Sequence, residues 1–139
     1  MTLTAGPKPV ADLESGRFWD ALREHRIVLQ RCDSCDRVRF PHMPACPYCG
    51  ARGHREVEAL GGGRVYALVR VHRALTPAMR EEVPYAVAVV QLDEGARVVA
   101  RVEEGSEPAR IDDAVRACFV DHEDWTELRF APDAGGGGR

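Results

Sequence analysis

Four cysteines arranged as two Cys-x-x-Cys pairs constrain this chain more than any other feature. The first pair is Cys32 and Cys35, the second is Cys46 and Cys49, and ten residues lie between the pairs. Two such turns can hold four thiolates around one ion in the tetrahedral arrangement of a closed structural zinc site. Two disulfides or four unrelated thiols are the alternatives, but this double pair at this spacing is a strong zinc signal. We therefore predict one structural zinc ion bound by these four cysteines.

The residues that follow each pair suit tight turns. Gly50 comes directly after the second pair, at a place where the backbone often needs a positive φ. Asp36 has the equivalent place after the first pair, and Asp reaches that conformation more readily than most residues. His42 and His54 lie nearby in sequence. Because four cysteines already complete the coordination, we expect both to be ordinary surface histidines.

Composition limits the chain to one domain, or to a metal-stabilised module joined to one ordinary domain. Of 139 residues, 45% are hydrophobic, which is enough for a core beyond the zinc site. No run of about 18 apolar residues occurs, so we predict no transmembrane helix and no membrane association. The first ten residues lack the apolar centre of a signal peptide. Reduced, metal-binding cysteines are typical of a reducing compartment, so we expect a cytoplasmic protein.

A short helix is predicted before the first cysteine pair. Ser15 is a suitable N-cap, and Phe18, Trp19 and Leu22 form one apolar stripe at helical spacing. Packing against the rest of the chain is one interpretation of the stripe. Docking of a partner protein is the other, because so short a helix has little core of its own and large aromatics are common interface anchors.

The remainder of the pattern favours short strands. Residues 27–31 and 37–41 flank the first cysteine turn, and Gly61 to Gly63 indicate a hinge-like break. After the break the side chains alternate, which places Arg64, Tyr66, Leu68, Arg70 and His72 on one face. Residues 85–92 form a nearly continuous apolar strand, predicted to be buried on both faces, and pair with residues 97–102 in a hairpin. Two further strands are predicted over residues 115–120 and 125–130.

The predicted fold is mostly β. A short N-terminal helix precedes a rubredoxin-like four-cysteine zinc ribbon, and a five-stranded OB-fold barrel follows, since five short strands without a long helix suit that fold. We expect the arm and helix over residues 1–26, the ribbon over 27–60, the barrel over 61–131 and a flexible tail over 132–139, where four consecutive glycines occur.

This order of motifs resembles a known family, the zinc-ribbon plus OB-fold proteins associated with acyl-CoA metabolism, formerly a domain of unknown function. The resemblance covers about residues 15–130. The matching residues are Phe18-Trp19, Leu29-Gln30-Arg31-Cys32, Cys35, Arg39-Phe40-Pro41, Cys46-Pro47, Cys49-Gly50, Gly63, Val65-Tyr66, Pro84-Tyr85, Val90, Leu92 and Glu94-Gly95. Asp36 departs from the family, where Gly is common at this place, but we expect metal binding to be unaffected.

The resemblance implies a non-catalytic accessory subunit that binds a thiolase-fold enzyme. That enzyme would be a thiolase, acyltransferase or retro-aldol lyase acting on acyl-CoA, in fatty-acyl or steroid side-chain degradation. The resemblance also implies that the subunit stabilises the enzyme and helps to form its acyl-CoA site, and it implies a hydratase-like protein as a further candidate partner. Phe18, Trp19 and Leu22 are the candidate partner contacts.

One strand face supplies candidate contacts for coenzyme A. Arg64, Arg70 and His72 offer cations for its phosphates, and Tyr66 offers a ring for its adenine. A solvated face or a surface for another protein is the alternative interpretation of these residues.

Two rival functions have weaker support. An independent enzyme is one rival. Four cysteines leave no open metal position for catalysis, and Cys118 lies inside a predicted strand, where inert thiols are common. A nucleic-acid-binding OB-fold and zinc-ribbon module is the alternative function. Such binding depends on neutralised phosphates and several stacking aromatics. Here the net charge is −3, aromatics are 6% of residues, and residues 91–124 hold ten acids against four arginines.

Overall fold

The computed structural model of the chain describes residues 8–133. One helix, a small sheet and a closed five-stranded barrel follow one another, which confirms the predicted mostly-β fold class. The elements are α1 (Gly16–Arg23), β1 (Ile27–Cys32), β2 (Val38–Arg39), β3 (His54–Ala59), β4 (Gly62–Val71), a 3₁₀ turn (Pro77–Met79), β5 (Tyr85–Leu92), β6 (Arg97–Val102), β7 (Ala114–Asp121) and β8 (Thr126–Pro132). The predicted tail over 132–139 starts within β8, and residues 134–139 lie outside the described residues, as do residues 1–7 of the arm.

Helix α1 begins where the sequence predicts, but its cap differs from the prediction. Ser15 has helical backbone angles, and its hydroxyl makes no capping bond to the helix. Instead Ser15 and Asp12 bond reciprocally. The carboxylate of Asp12 accepts from the Ser15 N–H at 2.7 Å, and Ser15 Oγ accepts from the Asp12 N–H at 3.1 Å. The preceding turn therefore fixes the helix start. At the other end His25, with φ of 61°, stops the helix.

The apolar stripe of α1 faces mainly inward. Phe18 is 5% exposed, Leu22 is fully buried, and Phe18 packs at 5.0 Å against the ring of Phe40. The prediction that Phe18 and Leu22 contact a partner is therefore wrong, because the short helix lies against the ribbon and β8, which supply the core that it lacks. Trp19 is half-buried and remains the one accessible member of the stripe.

The ribbon contains a strand that the sequence pattern did not predict. Its sheet has the order β2-β1-β3, and β3 pairs antiparallel with β1 along six residues. β3 is rich in charged residues, so its apolar content gives little strand signal. Ion pairs connect β3 to helix α1 and to the residue before β1: Arg17 Nε lies 2.6 Å from Glu56, and Arg26 Nε lies 3.1 Å from Glu58.

The barrel closes in the order β4-β5-β6-β8-β7, as in a five-stranded OB-fold. The predicted break at Gly61 to Gly63 is confined to Gly61, which has φ of 103° and lies in the bend between β3 and β4, whereas Gly62 and Gly63 belong to β4. At Gly63 a β-carbon would lie 2.6 Å from the carbonyl oxygen of Gln91 and 2.9 Å from Val90 Cγ1. Glycine is therefore required where β4 passes closely over β5 and turns to pair with β7.

β5 is buried on one face only, contrary to the prediction. Ala86, Ala88, Val90 and Leu92 point into the barrel, whereas the residues between them are half-buried. The apolar run arises because the outer face also carries valines, not because a second layer covers it. The predicted hairpin with β6 is confirmed, with Gly95 at φ of 110° in its turn.

A β-bulge at Tyr66 breaks the predicted alternation of β4. Val65 pairs with Val90, but the next paired residue is Ala67, opposite Val89. The extra residue moves every later side chain to the other face. Leu68 therefore packs against the core, and Val69 points outward with 60% of its surface exposed.

Candidate metal centre and partner surfaces

The four cysteines of the two turns lie together at one end of the ribbon. Their sulfur atoms are all within 4.8 Å of one another. Cys32 Sγ lies 3.7 Å from Cys49 Sγ, and Cys35 Sγ lies 3.7 Å from Cys46 Sγ. A tetrahedron with zinc–sulfur bonds of about 2.3 Å has edges of about 3.8 Å. The separations thus fit a tetrahedral zinc site and are far longer than a disulfide bond of about 2 Å.

The backbone of each turn prepares these sulfurs to bind a cation. Ser34 and Cys35 direct N–H groups at Cys32 Sγ at 3.3 and 3.5 Å, and Tyr48 directs one at Cys46 Sγ at 3.4 Å. Burial of Cys46 acts against ionisation, but the N–H groups of Tyr48 and Cys49 prevail and lower the pKa of Cys46 to about 6. The Ala51 N–H acts to lower the pKa of Cys49, but burial and the three neighbouring sulfurs raise it to about 11, as expected when four thiols share one site without a cation. A thiolate is the form that binds metal.

Both turns have the backbone conformation that the sequence predicts. Asp36 has φ of 67° and Gly50 has φ of 80°. In each turn the N–H of this residue returns to the first cysteine, from Asp36 to the Cys32 carbonyl at 3.0 Å and from Gly50 to the Cys46 carbonyl at 2.9 Å. Asp in place of Gly is tolerated at the first turn, and its carboxylate pairs with Arg55 at 2.8 Å.

A buried polar group supports the approach to the second turn. Gln30 Oε1 accepts from Arg39 Nε at 2.8 Å and from the Met43 N–H at 2.9 Å, and Arg39 Nη2 donates to the Met43 carbonyl at 3.2 Å. Arg39 is 1% exposed and makes no ion pair within the described residues. Sequence reasoning missed this role, although Gln and Arg inside apolar strand segments are the signal that could have revealed it.

His42 is buried, so the prediction of a surface histidine there is wrong. It is 8% exposed, its ring lies 6.1 Å from that of Phe18, and neither ring nitrogen has a hydrogen-bond partner within residues 8–133. Burial lowers the pKa of His42. The segment between the cysteine turns folds back onto the helix, which encloses this side chain. His54 is exposed, as predicted.

The four candidate contacts for coenzyme A do not form one surface. Arg64 and Tyr66 are exposed near the bulge, and Arg97 covers the Tyr66 ring with its guanidinium carbon 3.7 Å from the ring centroid. Arg70 falls after the bulge and binds Glu104 through both terminal nitrogens, at 2.7 and 2.6 Å. His72 is exposed in the loop after β4. The predicted common face is therefore wrong, because the bulge reverses the alternation.

Trp19 lies at the edge of a surface cleft next to a second indole. The centroids of Trp19 and Trp125 are 6.3 Å apart, and the ring of His122 stacks on Trp125 at 4.4 Å. The cleft has a volume of about 540 Å³, and Lys8 and Arg23 also line it. Trp125 was predicted only as a strand residue, so sequence reasoning missed this pairing.

A partly buried group of polar side chains of the barrel supports Trp125. His122 Nε2 lies 3.0 Å from Glu127, which also pairs with Arg129 Nε at 2.9 Å, and Arg129 Nη1 binds Glu103 at 2.6 Å. Cys118 lies opposite Arg129 in the same sheet, and burial raises the pKa of its thiol. A raised pKa disfavours the thiolate, so Cys118 has the character of a structural residue.

No helix within residues 8–133 is long and apolar enough to cross a membrane.

Two family models match adjacent parts of the chain. Residues 19–55 match the model described as the ChsH2 rubredoxin-like zinc ribbon domain, and residues 56–120 match that of the ChsH2 C-terminal OB-fold domain. Together they cover the cysteine turns and most of the barrel. The ribbon match and the clustered sulfurs identify the predicted cofactor as structural zinc.

Curated relatives are of two kinds. A probable enoyl-CoA hydratase alpha subunit of Thermomonospora curvata is 38% identical, over 69% of this chain and 30% of that protein. The 3-oxo-4,17-pregnadiene-20-carboxyl-CoA hydratase alpha subunit of Mycobacterium tuberculosis is 30% identical, over 91% of this chain and 40% of that protein. The chain thus spans less than half the length of both. A DUF35 domain-containing scaffold protein of Pyrococcus furiosus is 32% identical, over 78% of each protein.

The fold is also found among solved structures. A chain described as Ltp2-ChsH2(DUF35) aldolase superposes with a TM-score of 0.78 and 33% identity, covering 90% of this chain and 98% of that chain.

Proposed function

The chain belongs to the ChsH2 (DUF35) family of zinc-ribbon and OB-fold proteins, and on this basis we propose that it is a non-catalytic accessory subunit of a thiolase-fold enzyme. The observation that carries the proposal is the match over 98% of the chain described as Ltp2-ChsH2(DUF35) aldolase. An aldolase breaks or makes a carbon–carbon bond, so among the partner reactions considered, a retro-aldol lyase acting on an acyl-CoA has the most support.

The chemistry of this chain is consistent with a non-catalytic role. A zinc ion held by Cys32, Cys35, Cys46 and Cys49 has no open position for a substrate, so it stabilises the ribbon and does not activate water. Cys118, the remaining thiol, has a raised pKa that disfavours a nucleophile. The reacting groups would therefore belong to the partner, and this chain would stabilise that enzyme and complete the wall of its acyl-CoA site.

Names of the relatives guide the proposed substrate class. One relative is named for the CoA thioester of a pregnadiene carboxylic acid, which is a steroid with a shortened side chain. We propose that the partner acts on steroid or fatty-acyl CoA thioesters in the cytoplasm. Since two relatives are longer hydratase alpha subunits, a hydratase-like protein is proposed as a further partner.

Within this chain, Arg64 and Tyr66 remain candidates for contact with the coenzyme A bound by the partner. They are neighbours at the bulge and both are exposed. Trp19 remains a candidate partner contact, because it is half-buried beside the cleft with Trp125.

Co-expression with a thiolase-fold enzyme from the same genome tests the proposal. We expect one peak containing both proteins in size-exclusion chromatography at micromolar concentration. Trp19→Ala should weaken this complex without changing zinc content, whereas Tyr48→Ala, which removes an exposed ring of the second cysteine turn, should not. Two separate peaks for the native proteins would refute the accessory role.

A further inference from the structure

The outer face of β4, β5 and β6 carries an apolar patch in the middle of a three-strand surface. The register places Ala67, Val89 and Val99 in one cross-strand row. The next row contains Val69 and Val87 and ends at Arg101. We call the five apolar residues of these two rows, Ala67, Val69, Val87, Val89 and Val99, the valine face. Val69 and Val99, on the outer strands of this face, are 60% and 63% exposed, whereas Val87 and Val89 of the central strand β5 are half-buried.

Aromatic and cationic side chains border the valine face at both ends. On one side the adjacent row is Arg64, Gln91 and Arg97, and Arg97 lies over the Tyr66 ring. On the other side Arg101 lies over the ring of Tyr85 at 4.5 Å and pairs with Glu82 at 3.1 Å, so its charge is balanced within the chain. An apolar centre with Tyr and Arg around it is the composition typical of a protein–protein interface.

The charges of this border favour a partner that carries carboxylates. Some arginines within residues 8–133 pair with carboxylates, as Arg17 does with Glu56 at 2.6 Å, whereas the guanidinium groups at this border have only neutral partners. Arg64 Nη1 donates to the Asp112 carbonyl at 2.9 Å, and Arg97 Nε donates to Gln91 Oε1 at 2.8 Å. Arg64 and Arg97 are exposed, lie about 10 Å apart across two strand spacings, and make no ion pair within the described residues. A partner with carboxylates at the same spacing would pair with them.

Two other occupants fit less well. A second copy of the chain would bring the same arginines near each other, and like charges oppose such a dimer. Single-stranded nucleic acid binds OB-folds on the corresponding strands, but it needs several aromatic rings on which successive bases stack. Here only Tyr66 and Tyr85 border the face, each with an arginine over one side of its ring, and the residues between them are aliphatic.

We propose that the valine face, with Arg64 and Arg97 at its border, docks the thiolase-fold enzyme through an apolar patch edged by carboxylates. This inference rests on the proposed function and names the surface that carries it out. It also gives a reason why Val69 and Val99 of the valine face are exposed in this chain.

The test measures the affinity of the zinc-loaded chain for the thiolase-fold enzyme with which it co-purifies, at low and high salt. Val69→Glu combined with Val99→Glu should weaken binding by about tenfold or more. Val69→Thr combined with Val99→Thr keeps the branched shape that strands favour. If the glutamate variant folds poorly, the affinity of this threonine variant is measured in its place. Arg64→Gln combined with Arg97→Gln should weaken binding and reduce its dependence on salt. Ile111→Glu, at an exposed apolar residue between β6 and β7, is the matched control and should bind normally.

The outcomes separate this inference from the proposed function. If the native chain does not bind the enzyme, the accessory role fails and the inference fails with it. If the native chain binds and the valine and arginine variants bind equally well, only the inference is overturned. Micromolar binding of a short oligo-deoxythymidylate, lost in the Val69→Glu and Val99→Glu variant, would assign the face to nucleic acid and overturn the inference as well.

Discussion

Arg39 and Gln30 lie directly opposite each other in the ribbon sheet, and Arg39 Nε donates to Gln30 Oε1 at 2.8 Å inside the protein. The same oxygen accepts from the backbone N–H of Met43 at 2.9 Å, three residues before Cys46. One amide thus satisfies part of a buried guanidinium and fixes the segment that leads to the second cysteine turn.

Gln30→Leu should therefore destabilise the chain by about 3 kcal/mol, because it leaves a buried charged donor without its acceptor. Zinc affinity should fall by about tenfold, the usual effect of losing a group that supports metal ligands. Urea unfolding and competition with a chelator measure the two effects. Gln91→Leu is the control: its side-chain bonds to the Gly95 carbonyl and to Arg97 are exposed to water, so their loss should cost no more than about 1 kcal/mol. Equal stability of the two variants would contradict this role of Gln30.

Replacement of a zinc ligand should have a larger effect. Structural zinc contributes on the order of 10 kcal/mol to its module, so Cys46→Ser should unfold the ribbon and abolish stoichiometric zinc in elemental analysis. Ribbon and barrel residues belong to one apolar cluster, so the barrel should persist with a lower melting temperature. Cys118→Ser removes the fifth thiol and should keep one zinc per chain. Native protein without zinc, or with iron and a rubredoxin-like colour, would refute the assignment.

Gly63→Ala should destabilise the barrel by about 2 kcal/mol or more, because the new methyl group would overlap the Gln91 carbonyl oxygen at 2.6 Å. Gly105→Ala is the matched control. No atom lies within 4 Å of a β-carbon built at Gly105, so its melting temperature should stay the same or rise slightly. Thermal unfolding followed by circular dichroism compares the two. Equal melting temperatures would show that β4 can move away from β5 at no cost.

These positions show where sequence reasoning succeeded and where it stopped. The cysteine spacing, the turn residues Asp36 and Gly50, and the barrel strands depend on local pattern, and the pattern was sufficient to predict them. The bulge at Tyr66 was not predictable, because it depends on how β4 must bend to close the barrel. β3 was missed because its pairing with β1 and its ion pairs to Arg17 and Arg26 are contacts distant in sequence, whereas its own apolar content is low.

Two side chains of the site were misplaced for a related reason. Phe18 and His42 are buried because α1 and the loop before the second turn fold onto each other. Periodicity finds an apolar stripe but does not say what covers it. Only the packed structure shows that the ribbon covers Phe18 and leaves Trp19 accessible.

Burial of His42 predicts an acid-sensitive contribution to stability. Its pKa is lowered in the folded chain, mainly by burial, and the nearby carboxylate of Glu56 acts against this shift. The stability that neutral, buried His42 contributes is complete above about pH 6.5, which is the pKa of histidine in the unfolded chain. It is lost as the pH falls, because the unfolded chain then binds the proton more readily than the folded chain.

The free energy of unfolding should therefore fall less in His42→Phe than in the native chain between about pH 7 and about pH 5.5. Acid weakening of zinc binding is common to both proteins and cancels in the comparison. His72→Gln changes an exposed histidine and should retain the native pH dependence. Identical pH profiles for the native chain and His42→Phe would contradict the prediction.

The most direct test of the accessory role is the rate of acyl-CoA turnover by a thiolase-fold enzyme from the same genome, measured while this chain is titrated into it. We expect no turnover by the chain alone, and an enzyme activity that rises and then saturates at a fixed ratio of the two proteins. Turnover by the chain alone, abolished by a single substitution in it, would contradict the account. An enzyme that is fully active alone and unaffected by the chain would contradict it equally.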